Sequence, residues 1–116
     1  MITFLEAVAR QEGFYNPGTR PQRNNNPGDI EYGKFTQAHG SIGAEQPKDR
    51  FAVFPNAQVG FNAMRALFQT NGYVNLTVEQ ALNRWAPPIE NNTNIYVTNV
   101  CAWVGCKPTD LVKDLL

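Results

Sequence analysis

Apolar residues recur at helical spacing from the start of the chain. Phe4, Leu5, Val8 and Ala9 fall on one stripe, with Glu6, Arg10 and Gln11 opposite. Thr3-Phe4-Leu5-Glu6 has the form of a capping box, in which the Thr3 hydroxyl and the Glu6 carboxylate satisfy the first free amides. The pattern predicts a first helix that stops at Gly13. Glu12 follows Val8 by four residues and Leu5 by seven, which puts a carboxyl on the buried side of the last turn.

Periodicity is lost over residues 13–29, "GFYNPGTRPQRNNNPGD", with three prolines, three glycines and four asparagines. This composition predicts one long loop, and a loop of that length in a compact domain is usually functional or disordered. Ile30-Glu31-Tyr32, a Gly33-Lys34 turn and Phe35 follow, and beyond a second glycine-rich loop comes Arg50-Phe51-Ala52-Val53-Phe54. Both stretches alternate and predict a small antiparallel sheet of two or three strands. Asn56 is placed to cap a helix over 57–70, with Val59, Met64, Leu67 and Phe68 inward and Gly72 past its end. Thr77-Val78-Glu79-Gln80 is a second capping box, opening a helix through Ala81, Leu82 and Trp85 that Pro87-Pro88 stops.

Polar capping residues at 90–93 precede a helix whose Tyr96, Val100, Trp103 and Val104 share a face before Gly105 ends it. Pro108 suits the start of a terminal helix with Leu111, Val112 and Leu115 inward. The expected fold class is mainly α with a minor β part: about five helices around a central core plus the small sheet.

At 116 residues the chain is read as a single domain, 1–116. Its formal charge is zero, so no global field draws it to nucleic acid or an anionic membrane. Arg20 and Arg23, without a wider basic surface, supply too little phosphate attraction for a nucleic-acid partner. No stretch approaches the roughly 20 apolar residues that span a bilayer, and residues 1–6 lack a basic segment followed by an apolar run. The expectation is a monomer with no membrane insertion and no signal peptide.

Cys101 and Cys106 are the only cysteines and His39 the only histidine. The five-residue spacing fits neither a zinc site nor a redox pair, so no metal and no cofactor are expected. Two free thiols packed as small apolar groups are the simpler reading, and a disulfide stays open only if Gly105 bends the chain between them. Signatures of serine hydrolases, phosphate-binding loops and dinucleotide folds are absent. A cysteine peptidase built on Cys101 and His39 is disfavoured, because Cys101 lies inside a helix among Ala102, Trp103 and Val104.

Glu12 is the candidate for chemistry. Desolvation on an apolar helix face disfavours the charged carboxylate, and the negative end of the helix dipole acts in the same direction. A glutamate kept protonated near neutral pH is what general-acid cleavage of a glycosidic bond requires. The plainer reading is a helix-end glutamate pointing to water.

Four segments, in order over roughly residues 5–100, resemble the lytic transglycosylases and goose-type lysozymes of the lysozyme-like superfamily. "AVARQEGFYNP" is similar to the family's helix ending in arginine, glutamine, the catalytic glutamate and serine. "GDIE" at 28–31 resembles its Gly-Leu-Met-Gln turn, and "FPNAQVGFNAMRALF" its following helix. "ALNRWAPPIENNTNIYVTNV" resembles the Ala-Tyr-Asn-Ala-Gly-Pro helix with its Asn-Tyr-Val segment. "RNNNPGDI" also resembles small domains of bacteriophage lysins and virion proteins. The resemblance implies that Glu12 is the catalytic acid, that Tyr96 holds its carboxyl, and that Gly28, Ile30 and Glu31 line the sugar cleft. Three positions depart from the family: Gly13 stands in place of serine, Trp85 and Ala86 in place of tyrosine and asparagine, and Glu31 in place of glutamine.

That last departure brings a second carboxylate into question. A muramidase that activates water needs a base some 6.5–9.5 Å from the acid, for which Glu31, with Asp29 behind it, is the candidate; one of the two is expected to face inward. In the transglycosylase mechanism the glutamate acts alone, as acid and then base, while the 6-hydroxyl of the substrate attacks the anomeric carbon. Phe51, Phe54, Phe61, Phe68 and Trp103 sit at core spacing, whereas Tyr15, Tyr32 and Trp85 lie beside loops where a ring can stack on a sugar. Arg20, Arg23 and Asn24-Asn25-Asn26 offer donors to acetamido and lactyl groups, with Asn26 taken as substrate-binding.

The expected function is cleavage of the MurNAc-GlcNAc β-1,4 bond, with peptidoglycan glycan strands as partner. The protein is expected to reach the wall through a holin, in a phage particle or by specialised secretion. A lysozyme-like domain that binds peptidoglycan or packs into a virion without cutting is the alternative.

Overall fold

The computed structural model describes residues 1–116, a mainly helical chain with one small antiparallel sheet. In order it forms α1 (Phe4–Glu12), α2 (Arg20–Arg23), α3 (Lys34–Ala38), β1 (Gly43–Ala44), β2 (Ala52–Val53), α4 (Ala57–Phe68), α5 (Val78–Trp85) and α6 (Thr93–Val104), then a 3₁₀ turn at Val112–Asp114. Two compact units are distinguished, one of residues 1–7 and 67–116, the other of residues 8–66.

In the first unit the capping chemistry falls where the sequence puts it. Thr3 N–H donates to Glu6 Oε1 at 3.0 Å and Glu6 N–H to Thr3 Oγ1 at 3.2 Å. The same reciprocal pair recurs at α5, where Gln80 N–H donates to Thr77 Oγ1 and Thr77 N–H to Gln80 Oε1. Asn92 caps α6, and Gly105 ends it in the left-handed region at φ 79. Phe4, Phe68, Val78, Leu82, Val100 and Val112 are fully buried and form the interior of this unit. Phe4 meets Phe68 edge-on at 5.1 Å.

The terminal helix expected from Pro108 is replaced by a turn and an extended segment. The carbonyls of Pro108 and Asp110 accept hydrogen bonds from the amides of Glu79 and Val78, at 3.0 and 2.8 Å. Leu111 pairs with Thr77 in an antiparallel bridge. The segment thus satisfies open amides at the start of α5, which would otherwise lack partners, and only residues 112–114 coil. The helix count is correspondingly different from five, because α2 and α3 also form where loop and strand are expected.

In the second unit, α2 interrupts the long loop. Thr19 stands before it at φ −71 and ψ 158, and Pro21 occupies the first turn, where its fixed φ favours the helix and its missing N–H costs nothing. Gly33-Lys34 does not turn a hairpin but starts α3, with Gly33 N–H donating to Thr36 Oγ1 at 3.0 Å. The partner of β2 is therefore β1, in the register Gly43↔Val53 and Ala44↔Ala52, and Glu31 contributes one isolated bridge to Phe51. Helix α4 is capped by Asn56, whose Oδ1 accepts from Val59 N–H at 3.0 Å. It ends at Phe68, before the expected residue 70, where Thr70 Oγ1 donates to the Leu67 carbonyl at 2.7 Å.

Ala52, Phe54 and Ala63 form the core of this unit, with Tyr32 and Val59 packed on it. Gly60 of α4 lies directly on the asparagine-rich turn: a Cβ there would stand 2.0 Å from the Asn25 carbonyl oxygen and 2.8 Å from Pro27 Cδ. Gly60→Ala is expected to destabilise the protein by about 2 kcal/mol, read as a lower urea midpoint at unchanged slope.

Candidate active site

Glu12 is the last residue of α1 and is half-buried, not fully buried as the stripe suggests. Gly13 follows at φ 90, a conformation that favours glycine. This turn supplies a backbone reason for glycine where the resembling family has serine. The chain then closes a short loop on itself: the Thr19 hydroxyl lies 2.7 Å from the Gly13 carbonyl oxygen and 2.9 Å from that of Asn16. Tyr15 lies on this loop, half-exposed, with its ring edge-on to Phe14 at 5.2 Å; Phe14 in turn meets Phe61 at 5.5 Å.

The loop delivers Arg20 at the start of α2. Its guanidinium grips Asp29 through both Nε and a terminal nitrogen, and it stacks 3.6 Å from the centre of the Phe51 ring. Hydrogen bonding to Asp29 is the main reason the Arg20 cation is held above its ordinary range, and the fields of Glu45 and Glu12 add to it more weakly. Asp29 thus neutralises a cation whose field reaches Glu12. Phe51, expected in the core, is half-buried and serves as a platform for cations, with Arg50 at 4.8 Å as well.

The two candidate second carboxylates separate. The Asp29 side chain is 8% exposed and paired with Arg20, whereas the Glu31 side chain is 62% exposed and accepts a 2.8 Å hydrogen bond from Arg50 Nε. The split arises because Asp29 has φ 48 and turns the chain before the extended segment begins.

Asn26 is wholly buried and spent on backbone. Its Nδ2 donates to the carbonyls of Ile30 and Ala52 at 2.9 and 3.0 Å, and its Oδ1 accepts from Ile30 N–H at 3.0 Å. Its amide has no donor left over for a sugar, so it is a strut for the turn through Gly28, which is itself buried, as is Ile30. Tyr32 is half-buried against the core, and its hydroxyl accepts from Gln37 Nε2 at 2.9 Å.

Glu12, Tyr15, Asn26, Gly28, Ile30, Glu31 and Tyr32 all belong to the unit of residues 8–66, and Trp85 and Tyr96 to the other. Tyr96 is buried on α6. Trp85 is half-buried, with one face stacked on Phe68 at 4.2 Å and 12° and Tyr73 against its edge. That face is packing surface and not an open sugar platform.

An open cleft of about 490 Å³ in the unit of residues 1–7 and 67–116 is lined by Pro88, Asn91, Asn92, Thr93 and Asn94. Asn91, Asn92 and Thr93 are expected from the sequence only as caps for α6, and Pro88 as part of the stop to α5. The Asn91 and Thr93 side chains donate to the Pro87 and Ala86 carbonyls and shape its wall. No group of three or more His, Cys, Asp or Glu side chains is placed to hold a metal ion, and no helix is long and apolar enough to cross a membrane. Compared with known proteins, the chain matches no family model and no curated protein.

Proposed function

We propose that this chain cleaves the MurNAc-GlcNAc β-1,4 bond of peptidoglycan, with Glu12 as the general acid. The observation that carries the reading is the placement of Glu12: a half-buried carboxyl at the C-terminal end of α1, where the chain turns at Gly13 into the Thr19-tied loop. A carboxyl there can be reached by a polymer while keeping part of its surface out of water. The order of resembling segments along the chain supports the same reading.

We further propose that Glu12 works without a second carboxylate. Asp29 is held by Arg20, and Glu31 projects toward solvent and Arg50, so neither is disposed to activate a water beside the acid. The transglycosylase route fits this better: Glu12 protonates the leaving glycosidic oxygen, then takes the proton of the 6-hydroxyl as that oxygen closes on the anomeric carbon. Proton donation and return by one group balance over the cycle. Tyr15 is proposed to offer its exposed ring to a sugar face. The protein would meet the wall through a holin, a phage particle or specialised secretion.

Purified sacculi carrying a covalent dye test the reading. Release of soluble dye is expected, whereas co-sedimentation without release would assign the protein to the binding class.

A further inference from the structure

Helix α6 ends at Val104, and Gly105, at φ 79 and ψ 32, turns the chain back on itself. The amides of Gly105 and Cys106 both donate to the Cys101 carbonyl, at 2.8 and 3.1 Å. The second of these bonds closes the six-residue reverse turn that commonly ends helices, and it brings the side chains at its two ends into contact. An apolar pair usually fills those positions; here they are Cys101 and Cys106. Their sulfurs stand 3.7 Å apart as free thiols.

We propose that Cys101 and Cys106 form a redox-closable staple, oxidised by exchange with an external disulfide and holding the C-terminal segment to the end of α6. A sulfur–sulfur bond of about 2.05 Å is reached by side-chain rotation on a backbone that two hydrogen bonds already hold closed. Cys106 is half-buried and Cys101 buried, so Cys106 is the sulfur that solvent reaches first. Burial pushes the Cys101 thiol up to about 12 and raises Cys106 as well.

The Cys106 thiolate attacks the external disulfide, forming a mixed disulfide and expelling one thiolate. Cys101 then loses its proton as it attacks the Cys106 sulfur and expels the second thiolate. Two protein thiols become one disulfide, the external disulfide is reduced to two thiols, and the two protons leave with them. The fastened segment is the one whose Pro108 and Asp110 carbonyls cap the first amides of α5. Closing the bridge therefore ties the end of α6 to the start of α5.

The full chain is treated with oxidised glutathione at about pH 9, where a larger share of the Cys106 thiol, raised by burial, is ionised, then alkylated and weighed intact. The expected product is a monomer lighter by two hydrogen atoms, with no alkylatable thiol. Its melting temperature should be higher than that of the reduced chain by about 5–10 °C, and dithiothreitol should reverse the rise. Cys106→Ser should show no such rise; if that variant does not fold, the oxidised and reduced wild-type chains alone decide. A persistent glutathione adduct on Cys106, a disulfide-linked dimer, two remaining alkylatable thiols, or a bridge with no change in melting temperature would each overturn the proposal.

Discussion

Glu12→Gln is expected to lower the rate of glycan cleavage by a factor of about 10²–10⁴ and to leave the chain folded. The amide keeps the shape of the side chain and its capacity to accept a hydrogen bond, but it has no acidic proton to give the leaving oxygen. Stability should be little changed, because the amide is close in shape to the carboxyl it replaces. Glu12 is half-buried at a helix terminus, so the substitution opens no cavity. Dye release from labelled sacculi measures the loss, and thermal melting of the same samples shows that the fold survives. Full activity in Glu12→Gln would remove Glu12 from the role of acid.

Asn26→Ala is expected to cost about 3–5 kcal/mol of stability, because a buried group stripped of its partner loses about 1–3 kcal/mol and this side chain serves several. One amide holds Ile30 N–H, the Ile30 carbonyl and the Ala52 carbonyl together. Its removal leaves the Ile30 amide buried and unpaired and loosens the turn that positions Asp29. Asn26→Asp should be about as harmful, since a carboxylate oxygen would face two carbonyl oxygens in place of a donor. Urea denaturation measures both variants, and a loss under about 1 kcal/mol would contradict the assignment of Asn26 as the strut of this turn.

Those two residues also illustrate what the sequence makes legible. Glu12 is placed by helical spacing and by a capping box that starts the count at Thr3, both of which are local. Asn26 could be recognised as polar and loop-borne, but its partners Ile30 and Ala52 lie four and twenty-six residues away, and no local pattern reports the second. The same holds for the carboxylates. The backbone at Asp29 turns its side chain inward and leaves Glu31 outward, and the arginines that pair with them, Arg20 and Arg50, lie nine and nineteen residues away.

Helix starts at Thr77, Asn56 and Asn92 follow from side chains that bond amides within the next turn, and are legible for that reason. The start of α3 rests on Thr36 reaching back to Gly33, a bond that competes with the hairpin reading of Gly33-Lys34. Strand β1 consists of Gly43 and Ala44, which carry no alternation to detect. The lost C-terminal helix is the opposite case: Pro108 is a sound local signal, overridden by hydrogen bonds that its own and the Asp110 carbonyls make to α5. Trp85 shows the remaining ambiguity, since a ring beside a helix end has the same spacing whether it stacks on a sugar or, as here, on Phe68.

Glycan cleavage by Glu12 acting alone is tested most directly by the ends of the products. Purified peptidoglycan is digested with the wild-type chain, and the soluble fragments are read by mass spectrometry. 1,6-Anhydro-muramyl ends are expected, the mark of attack by the 6-hydroxyl of the substrate. Reducing muramyl ends would show that water is the nucleophile and bring back a second carboxylate, and an undigested sacculus beside an active control enzyme would contradict the account as a whole.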